Sequence, residues 1–480
     1  EIFKGNKELF KACAIYQTDY TWPTYPVLSF DLANIQSASP EAFSIGLDTV
    51  ITRMAAEQGI LLEGPSIQFK LQVLIEELAK KYHQSVILVD EYDHPIVDNL
   101  DNPTVAEENR KTIKNFFTTF KSLNKYLRFV FITGISKFAQ ASISSGVNNL
   151  KNITMNPKYA AIMGYTEEEL KTHFTEHLQL VAQQRGSTEE AIFTEVKEWY
   201  NGYRFSKAET YVYNPFSTLN YMDEQEPQSY WYTTGTPSFL IHEIQKRPAI
   251  ATSLAPISAS QNQLTDARTL EDIELSTLMF QTGYLTIRDW EYDTTLKTTI
   301  YHLNFPNEEV HQAFYQSLAR DLGKTTPQVI TQLAIKLQQE FTALDLASAI
   351  KTINIQFAKI PYDAFKDAKE GFYQAMLLLC LELSGLRTYG EVHTNLGRID
   401  LVVQQPQHTF IFELKVDQPA AVALDQIHTK NYQERYLKDG KEIVAVAASF
   451  STQTRNISVW KAGLYTAEGT LIRVLESAAD

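Results

Sequence analysis

The chain has 480 residues, 44% of them hydrophobic and 21% charged, with 43 basic and 57 acidic side chains giving a formal net charge of −14. That length allows about three domains with sizeable cores, and the acidic balance argues against a protein that coats nucleic acid by global charge, though a local basic groove stays open. Cys13 and Cys380 are the two cysteines, without a C-x-x-C pair, which supports neither a disulfide framework nor a zinc knuckle and fits a reducing, cytoplasmic setting.

The opening Glu1-Ile2-Phe3-Lys4-Gly5 lacks a signal-peptide pattern and reads as helix interior, as though an upstream part were absent. Residues 1–140 alternate helical periodicity with three apolar runs, Val27 to Asp31, Val86 to Asp90 and Phe129 to Thr133. A helical pattern from Glu107 to Leu123 separates the last two, which predicts a parallel α/β sheet. Residues 141–235 are mixed and aromatic-rich, and 236–350 read as mainly helical with a β-like piece near Tyr284 to Ile287. From 351 the pattern changes again. An apolar helix over Ala368 to Ser384 precedes strands, a charged helix over Ala420 to Lys438 and an apolar strand from Ile443 to Ala448. The longest apolar run, near Ala375 to Leu383, is too short to cross a bilayer. The expected domains are 1–235, 236–350 and 351–480.

The chemistry-bearing segment runs Gly397-Arg398-Ile399-Asp400-Leu401-Val402-Val403, then a polar linker with Pro406, then Thr409-Phe410-Ile411-Phe412-Glu413-Leu414-Lys415. Two β-rich runs around a short linker predict an antiparallel hairpin. A turn centred between Pro406 and Gln407 sets Asp400 opposite Glu413. Lys415 then lies on the same face as Glu413, and Phe412 and Leu414 point away. Facing carboxylates raise each other's pKa unless a divalent cation sits between them. Oxygen ligands with open positions suit Mg²⁺ or Mn²⁺, which activates water and neutralises charge on a phosphodiester. Three charged residues on a surface hairpin can also be ordinary solvated side chains; their embedding in apolar strands favours a site.

These residues resemble the core of the PD-(D/E)XK nuclease superfamily, in the branch fused behind an AAA-ATPase-like domain. The resemblance implies a restriction-endonuclease-like α/β/α domain. It also implies a helix acid at the metal site, with Glu370 the best match and Glu382 and Glu391 as rivals. A helix glutamine matches Gln426 and a tyrosine matches Tyr432. Gln426 can equally be a helix-surface amide, and Tyr432 a core residue.

In the N-terminal half, Val86 to Val89 followed by Asp90-Glu91 has the form of a Walker B strand, with Asp90 for the Mg²⁺ shell and Glu91 to polarise water. Thr133 falls where a polar sensor residue would sit. The strings Asp90-Glu91-Tyr92-Asp93-His94-Pro95-Ile96, Ile132-Thr133-Gly134-Ile135-Ser136-Lys137-Phe138, Tyr200-Asn201-Gly202-Tyr203 and Trp231-Tyr232-Thr233-Thr234-Gly235 resemble the AAA-ATPase-like family. The expected fold is thus α/β: a P-loop-NTPase-like parallel-sheet domain, a helical middle and the nuclease-like domain. A phosphate cradle needs G-x-x-x-x-G-K-[ST] between strand and helix. Gly323-Lys324-Thr325 fails, because Leu318 stands at the first glycine position and the preceding residues read as helix. In the family the loop lies upstream of a segment resembling residues 1–15, so ATP binding is expected to be weak or absent and a sheet edge left exposed. His173 and His177 have i, i+4 spacing on an expected helix without a third ligand.

The favoured expectation is a Mg²⁺- or Mn²⁺-dependent endonuclease acting on nucleic acid, DNA favoured over RNA, positioned by a degenerate ATPase-like half. No membrane partner is expected, and a homo-oligomer is compatible. The alternatives are a catalytically inactive regulatory or nucleic-acid-binding protein and an ATP-driven remodeller.

Overall fold

The structure, a computed structural model, describes residues 1–135, 150–231, 257–265, 274–323, 327–358, 370–437 and 439–476. It divides into two units, residues 1–154 with 260–282, and residues 155–259 with 283–480.

The first unit opens with 3₁₀ turns at Ile2–Lys4, Lys7–Phe10 and Ala14–Gln17, not with helix interior. Gly5 ends the first turn in the left-handed region. Strand β1 (Val27–Asp31) leads to helices α1 (Pro40–Glu57) and α2 (Ile67–Tyr82), then to β2 (Ser85–Asp90), α3 (Pro103–Ser122) and β3 (Leu127–Ile132). Each long helix starts at a polar cap whose side chain accepts a backbone N–H: Ser39 for α1, Ser66 for α2 and Asn102 for α3. Phe43, Leu47, Ile51 and Ala55 bury one stripe of α1. The strands are parallel in the order β1-β2-β3, with Asp31 in register with Asp90. The expected α/β sheet is therefore present. At the β3 side of the described sheet, Phe129 is 41% exposed, with the Phe3 ring 5.4 Å away.

The second unit begins with a helical module. Strand β4 (Tyr165–Thr166) precedes α4 (Glu167–His173), α5 (Thr175–Arg185) and α6 (Glu189–Tyr200), and β5 (Val212–Tyr213) precedes α7 (Pro215–Glu224). Tyr200, Tyr213 and Tyr221 form its buried aromatic centre. The chain breaks between α4 and α5 at Phe174, which caps both. His173 and His177 therefore lie on different helices, and the one-helix spacing expected for them is not realised. Gly202 has φ +102°, and a Cβ there would lie 2.0 Å from the Pro306 carbonyl oxygen. Gly202→Ala is expected to destabilise the protein by about 3 kcal/mol through strain and overlap. Denaturant titration measures it, and an unchanged midpoint would contradict the close approach.

Strand β6 (Ile257–Ser260) joins a ribbon of β7 (Thr286–Asp293) and β8 (Thr298–Asn304), in the order β6-β8-β7. This ribbon extends well beyond the β-like piece expected near Tyr284. From Arg288 to Tyr292 β7 is exposed, Trp290 and Tyr292 included, so an apolar-in, polar-out pattern does not mark it. Helices α8 (Glu308–Gly323), α9 (Pro327–Thr342) and α10 (Leu346–Phe357) complete the helical middle. Because α8 runs to Gly323, helix precedes the Gly-Lys-Thr string; Lys324 and Thr325 lie outside the described residues.

The remainder is α11 (Glu370–Glu382), β9 (Thr388–His393), β10 (Arg398–Gln404), β11 (His408–Val416), α12 (Ala420–Thr429), β12 (Glu442–Ser451), β13 (Asn456–Tyr465) and β14 (Leu471–Glu476). The expected charged helix is shorter: α12 stops at Thr429 and a 3₁₀ turn covers Tyr432–Tyr436, after Asn431 takes a left-handed conformation. The strands form a mixed six-stranded sheet, β14-β13-β12-β11-β10-β9, with β11 and β12 parallel. Ile411, Ile427 and Tyr432 pack on the α12 side. On the other side Phe410 and Phe412 meet Phe341, at ring separations of 5.1 and 6.4 Å. Among the described residues no helix is long and apolar enough to cross a membrane.

Candidate active site

The β10–β11 hairpin pairs Leu401 with Phe412, Val402 with Ile411 and Val403 with Phe410. The next step of that register sets Asp400 beside Glu413, as the expected turn centre requires. Strand alternation puts Asp400, Glu413 and Lys415 on the face opposite Phe412 and Leu414. The main-chain N–H of Leu414 donates to Asp400 Oδ2 at 2.7 Å. Lys415 Nζ donates to Glu413 Oε1 at 2.9 Å. Glu413 is 1% exposed, and its Oε2 is buried without a hydrogen-bond partner.

Burial dominates the electrostatics. It pushes the Asp400 carboxyl up to about 6, against the Leu414 N–H and the Lys415 charge, with Glu370 and Glu391 adding to the rise. Burial and the neighbouring Asp400 push Glu413 up to about 8, against the Lys415 hydrogen bond. Burial opposes the Lys415 charge, but the Glu413 hydrogen bond and the surrounding acids outweigh it and hold the amine above its ordinary value. Two carboxyls that resist ionisation together, one with an orphaned oxygen, form an oxygen-donor pair suited to a hard divalent cation. Among the described residues no group of three or more His, Cys, Asp or Glu side chains is gathered for a metal. Mg²⁺ does not need one, because it commonly takes one or two carboxylates and fills its shell with water and substrate phosphate.

The three acid candidates separate: Glu370 and Glu382 lie on α11, whereas Glu391 lies on β9 and is not the helix acid expected. Glu382 is buried at the far end of α11, accepts the Thr388 N–H at 2.6 Å and lies 3.1 Å from His311 Nε2. Glu391 has both oxygens engaged, Oε2 by Arg398 Nε and Oε1 by Gln374 Nε2 at 2.7 Å. Glu370, in the first turn of α11, is exposed, and its charge acts on Asp400, Glu413 and Lys415. Glu382→Ala is expected to cost about 3 kcal/mol of stability by stranding the Thr388 N–H. Glu370→Ala is expected to leave the melting temperature within a degree or two. Melting curves of both variants check the contrast, and equal destabilisation would contradict it.

Tyr432 is a core residue, 1% exposed, whose hydroxyl donates to the Arg398 carbonyl at 2.8 Å and accepts from Gln426 Nε2 at 3.3 Å. A Cβ at Gly397 would lie 2.9 Å from that hydroxyl, so glycine permits the approach. Gln426 is half-buried on α12, held by Tyr432.

Gln374 escaped the sequence reading. It is 4% exposed, and its Nε2 also donates to the Asp400 carbonyl at 2.9 Å. A lone amide inside the apolar run of α11, one turn after Glu370, was the available signal.

In the first unit, the carboxyl ends of the parallel strands collect Asp31, Asp90, Glu91 and Thr133. Thr133 Oγ1 donates to Asp90 Oδ1, and the Glu91 N–H donates to the same oxygen at 3.1 Å. Glu91 has φ +47°. Burial raises its carboxyl, His94 opposes this, and Asp90, Asp31 and Asp93 add to the rise. Asp31 was missed as a member of this group; its register with Asp90 places it there. Of the remaining motif residues, Ser136, Lys137, Phe138, Tyr232, Thr233, Thr234 and Gly235 lie outside the described residues.

A parallel-sheet unit with an acid-tipped central strand, and a mixed sheet carrying an Asp/Glu/Lys hairpin, define a class of ATPase-like, nuclease-superfamily proteins. Residues 1–144 match a family described as a predicted AAA-ATPase, and residues 368–460 match the PD-(D/E)XK nuclease superfamily. An uncharacterized protein in the vnfD 5' region of Azotobacter chroococcum mcd 1 is 31% identical over 471 residues, covering 95% of this chain and 87% of that protein. The chain belongs to the family that fuses an AAA-ATPase-like domain to a PD-(D/E)XK nuclease superfamily domain. A Walker-type ATPase of Pyrococcus abyssi is 11% identical with a TM-score of 0.34, covering 60% of this chain and 83% of that one; so distant a likeness carries no argument.

Proposed function

We propose that this protein is a Mg²⁺- or Mn²⁺-dependent endonuclease that hydrolyses phosphodiester bonds, with DNA favoured as substrate. The observation that carries the reading is the buried Asp400/Glu413 pair with the orphaned Glu413 oxygen and Lys415 alongside. Asp400 and Glu413 would hold the cation, which supplies a lowered water pKa and neutralisation of phosphate charge when bound. The Leu414 N–H fixes the Asp400 carboxylate. Lys415 presents a cation to the attacking water and to charge building on the phosphate. Glu370 would complete the acidic side of the shell, and Gln426 would act beside it, oriented by Tyr432. The ATPase-like unit would position or gate this site, and we place the whole chain in the cytoplasm. Asp90, Glu91 and Thr133 would form the nucleotide-facing group of that unit, and with no Gly-rich cradle beside them in these 480 residues we assign this polypeptide weak or no ATP binding. Tight ATP binding by calorimetry would overturn that assignment. The test of the main reading is incubation with plasmid, single-stranded DNA and RNA under Mg²⁺, Mn²⁺ and chelator. Metal-dependent cleavage supports it; none on any substrate turns it toward a non-catalytic nucleic-acid-binding protein.

A further inference from the structure

We infer that Arg398 is a preorganised phosphate-binding residue that seats the nucleic-acid backbone beside the acid pair; this rests on the proposed nuclease reading and adds a substrate contact to it. Arg398 and Asp400 are two apart on β10 and share a face, separated by about 6.6 Å along the strand. The Arg398 side chain is 56% exposed, yet the residue is held both at its main chain and at its guanidinium. Its carbonyl accepts the Tyr432 hydroxyl at 2.8 Å, and its Nε pairs with Glu391 Oε2.

Glu391 is itself arranged for this task. The β9–β10 pairing joins Ile399 to Val392 and Leu401 to Gly390, so position 391 falls opposite Asp400. A carboxylate there would extend the Asp400/Glu413 row to a third strand. Instead Glu391 takes φ +55° and has one oxygen on Arg398 and the other on buried Gln374. A left-handed non-glycine residue costs about 1–3 kcal/mol and persists only where its surroundings enforce it. A half-exposed ion pair returns about 0–1 kcal/mol, too little to account for that strain as a stability device. What the arrangement does achieve is a guanidinium held through Nε on a side chain that is still 56% exposed. That fork matches two phosphate oxygens. In a chain of net charge −14, an anchored cation beside the acids also offsets their repulsion of the substrate.

The experiment uses the full chain in an Asp400→Asn background with Mg²⁺, so that bound substrate is not cut. Affinity for a fluorescein-labelled duplex and a single strand is followed by anisotropy from 50 to 300 mM KCl. Arg398→Gln is expected to weaken binding about tenfold and to reduce the slope of log affinity against log salt by about one, the signature of one lost phosphate contact. Arg398→Lys should keep the slope and lose about threefold in affinity, because charge remains without the fork. Glu391→Gln, which frees the guanidinium, should behave as Arg398→Lys does. In the cleaving background Arg398→Gln should raise KM more than it lowers kcat. Unchanged affinity and slope in a folded Arg398→Gln protein would overturn the inference alone. If Arg398→Gln does not fold, Arg398→Lys with unaltered affinity does the same. A parent that binds no nucleic acid, with a wild type that cleaves none, overturns the nuclease reading and this inference with it.

Discussion

Asp400→Asn is expected to lower metal-dependent cleavage by about 10³-fold with little loss of fold. The substitution keeps an oxygen that can accept the Leu414 N–H, so the hairpin retains its 2.7 Å anchor. It removes the charge that would hold the cation. It also relieves the repulsion that helps push Glu413 up to about 8, so the remaining carboxyl ionises more easily without a partner to share a metal. Lys415→Met should fall nearly as far, by about 10²-fold or more, since the lost amine both pairs with Glu413 at 2.9 Å and faces the reacting phosphate in the proposed site. Single-turnover cleavage, with circular dichroism to confirm folding, measures both. Residual activity within tenfold of wild type would remove Asp400 from the chemistry in folded Asp400→Asn, and the Lys415 amine in folded Lys415→Met.

The second large effect is a pH-dependent stabilisation by the cation. Asp400 and Glu413 have folded-state values raised to about 6 and about 8, whereas unfolded carboxyls titrate near 4. Between those values the folded state binds more protons than the unfolded state, so metal-free stability falls as pH rises from about 4 to about 8. Lys415, Glu370 and Glu391 contribute to the same local field. A divalent cation must displace the protons, so its affinity rises with pH by up to about tenfold per unit for each proton released, levelling off above about 8. The melting-temperature gain from Mn²⁺ should therefore be small at pH 5.5 and large at pH 8.5. Glu309 also has a carboxyl pushed up by burial to about 7, so the diagnostic quantity is the difference from the Asp400→Asn/Glu413→Gln double variant. That variant should lose the Mn²⁺ gain and flatten the acid-to-neutral slope. A Mn²⁺ gain equal at both pH values, or equal in the double variant, would contradict the site.

The hairpin register was legible because one polar linker, centred between Pro406 and Gln407, fixes every cross-strand partner once antiparallel pairing is assumed. The observed Leu401–Phe412 pairing follows that centre. The three parallel strands were legible for a similar reason: continuous apolar runs such as Val86 to Val89 fit a sheet covered on both faces. The ribbon from Thr286 to Asn304 was only glimpsed, since Thr286–Asp293 runs from two buried residues into exposed ones without alternation, and the alternating burial of Thr298–Asn304 falls on residues as polar as Thr299. Tyr432 and Gln426 were visible as residue types, but whether they acted at the site or packed behind it depended on where the 3₁₀ turn after Asn431 placed them.

What the sequence determined by itself was the identity and pairing of Asp400, Glu413 and Lys415, because strand alternation and hairpin arithmetic are local rules that distant packing does not alter. Only the tertiary structure set the surroundings of Glu370, Glu382 and Glu391 apart, revealed Gln374, and tied Arg398 to its anchors. Those outcomes depend on which end of α11 meets β10 and on a positive φ at a non-glycine residue. No residue pattern encodes either one; the packing around them imposes both.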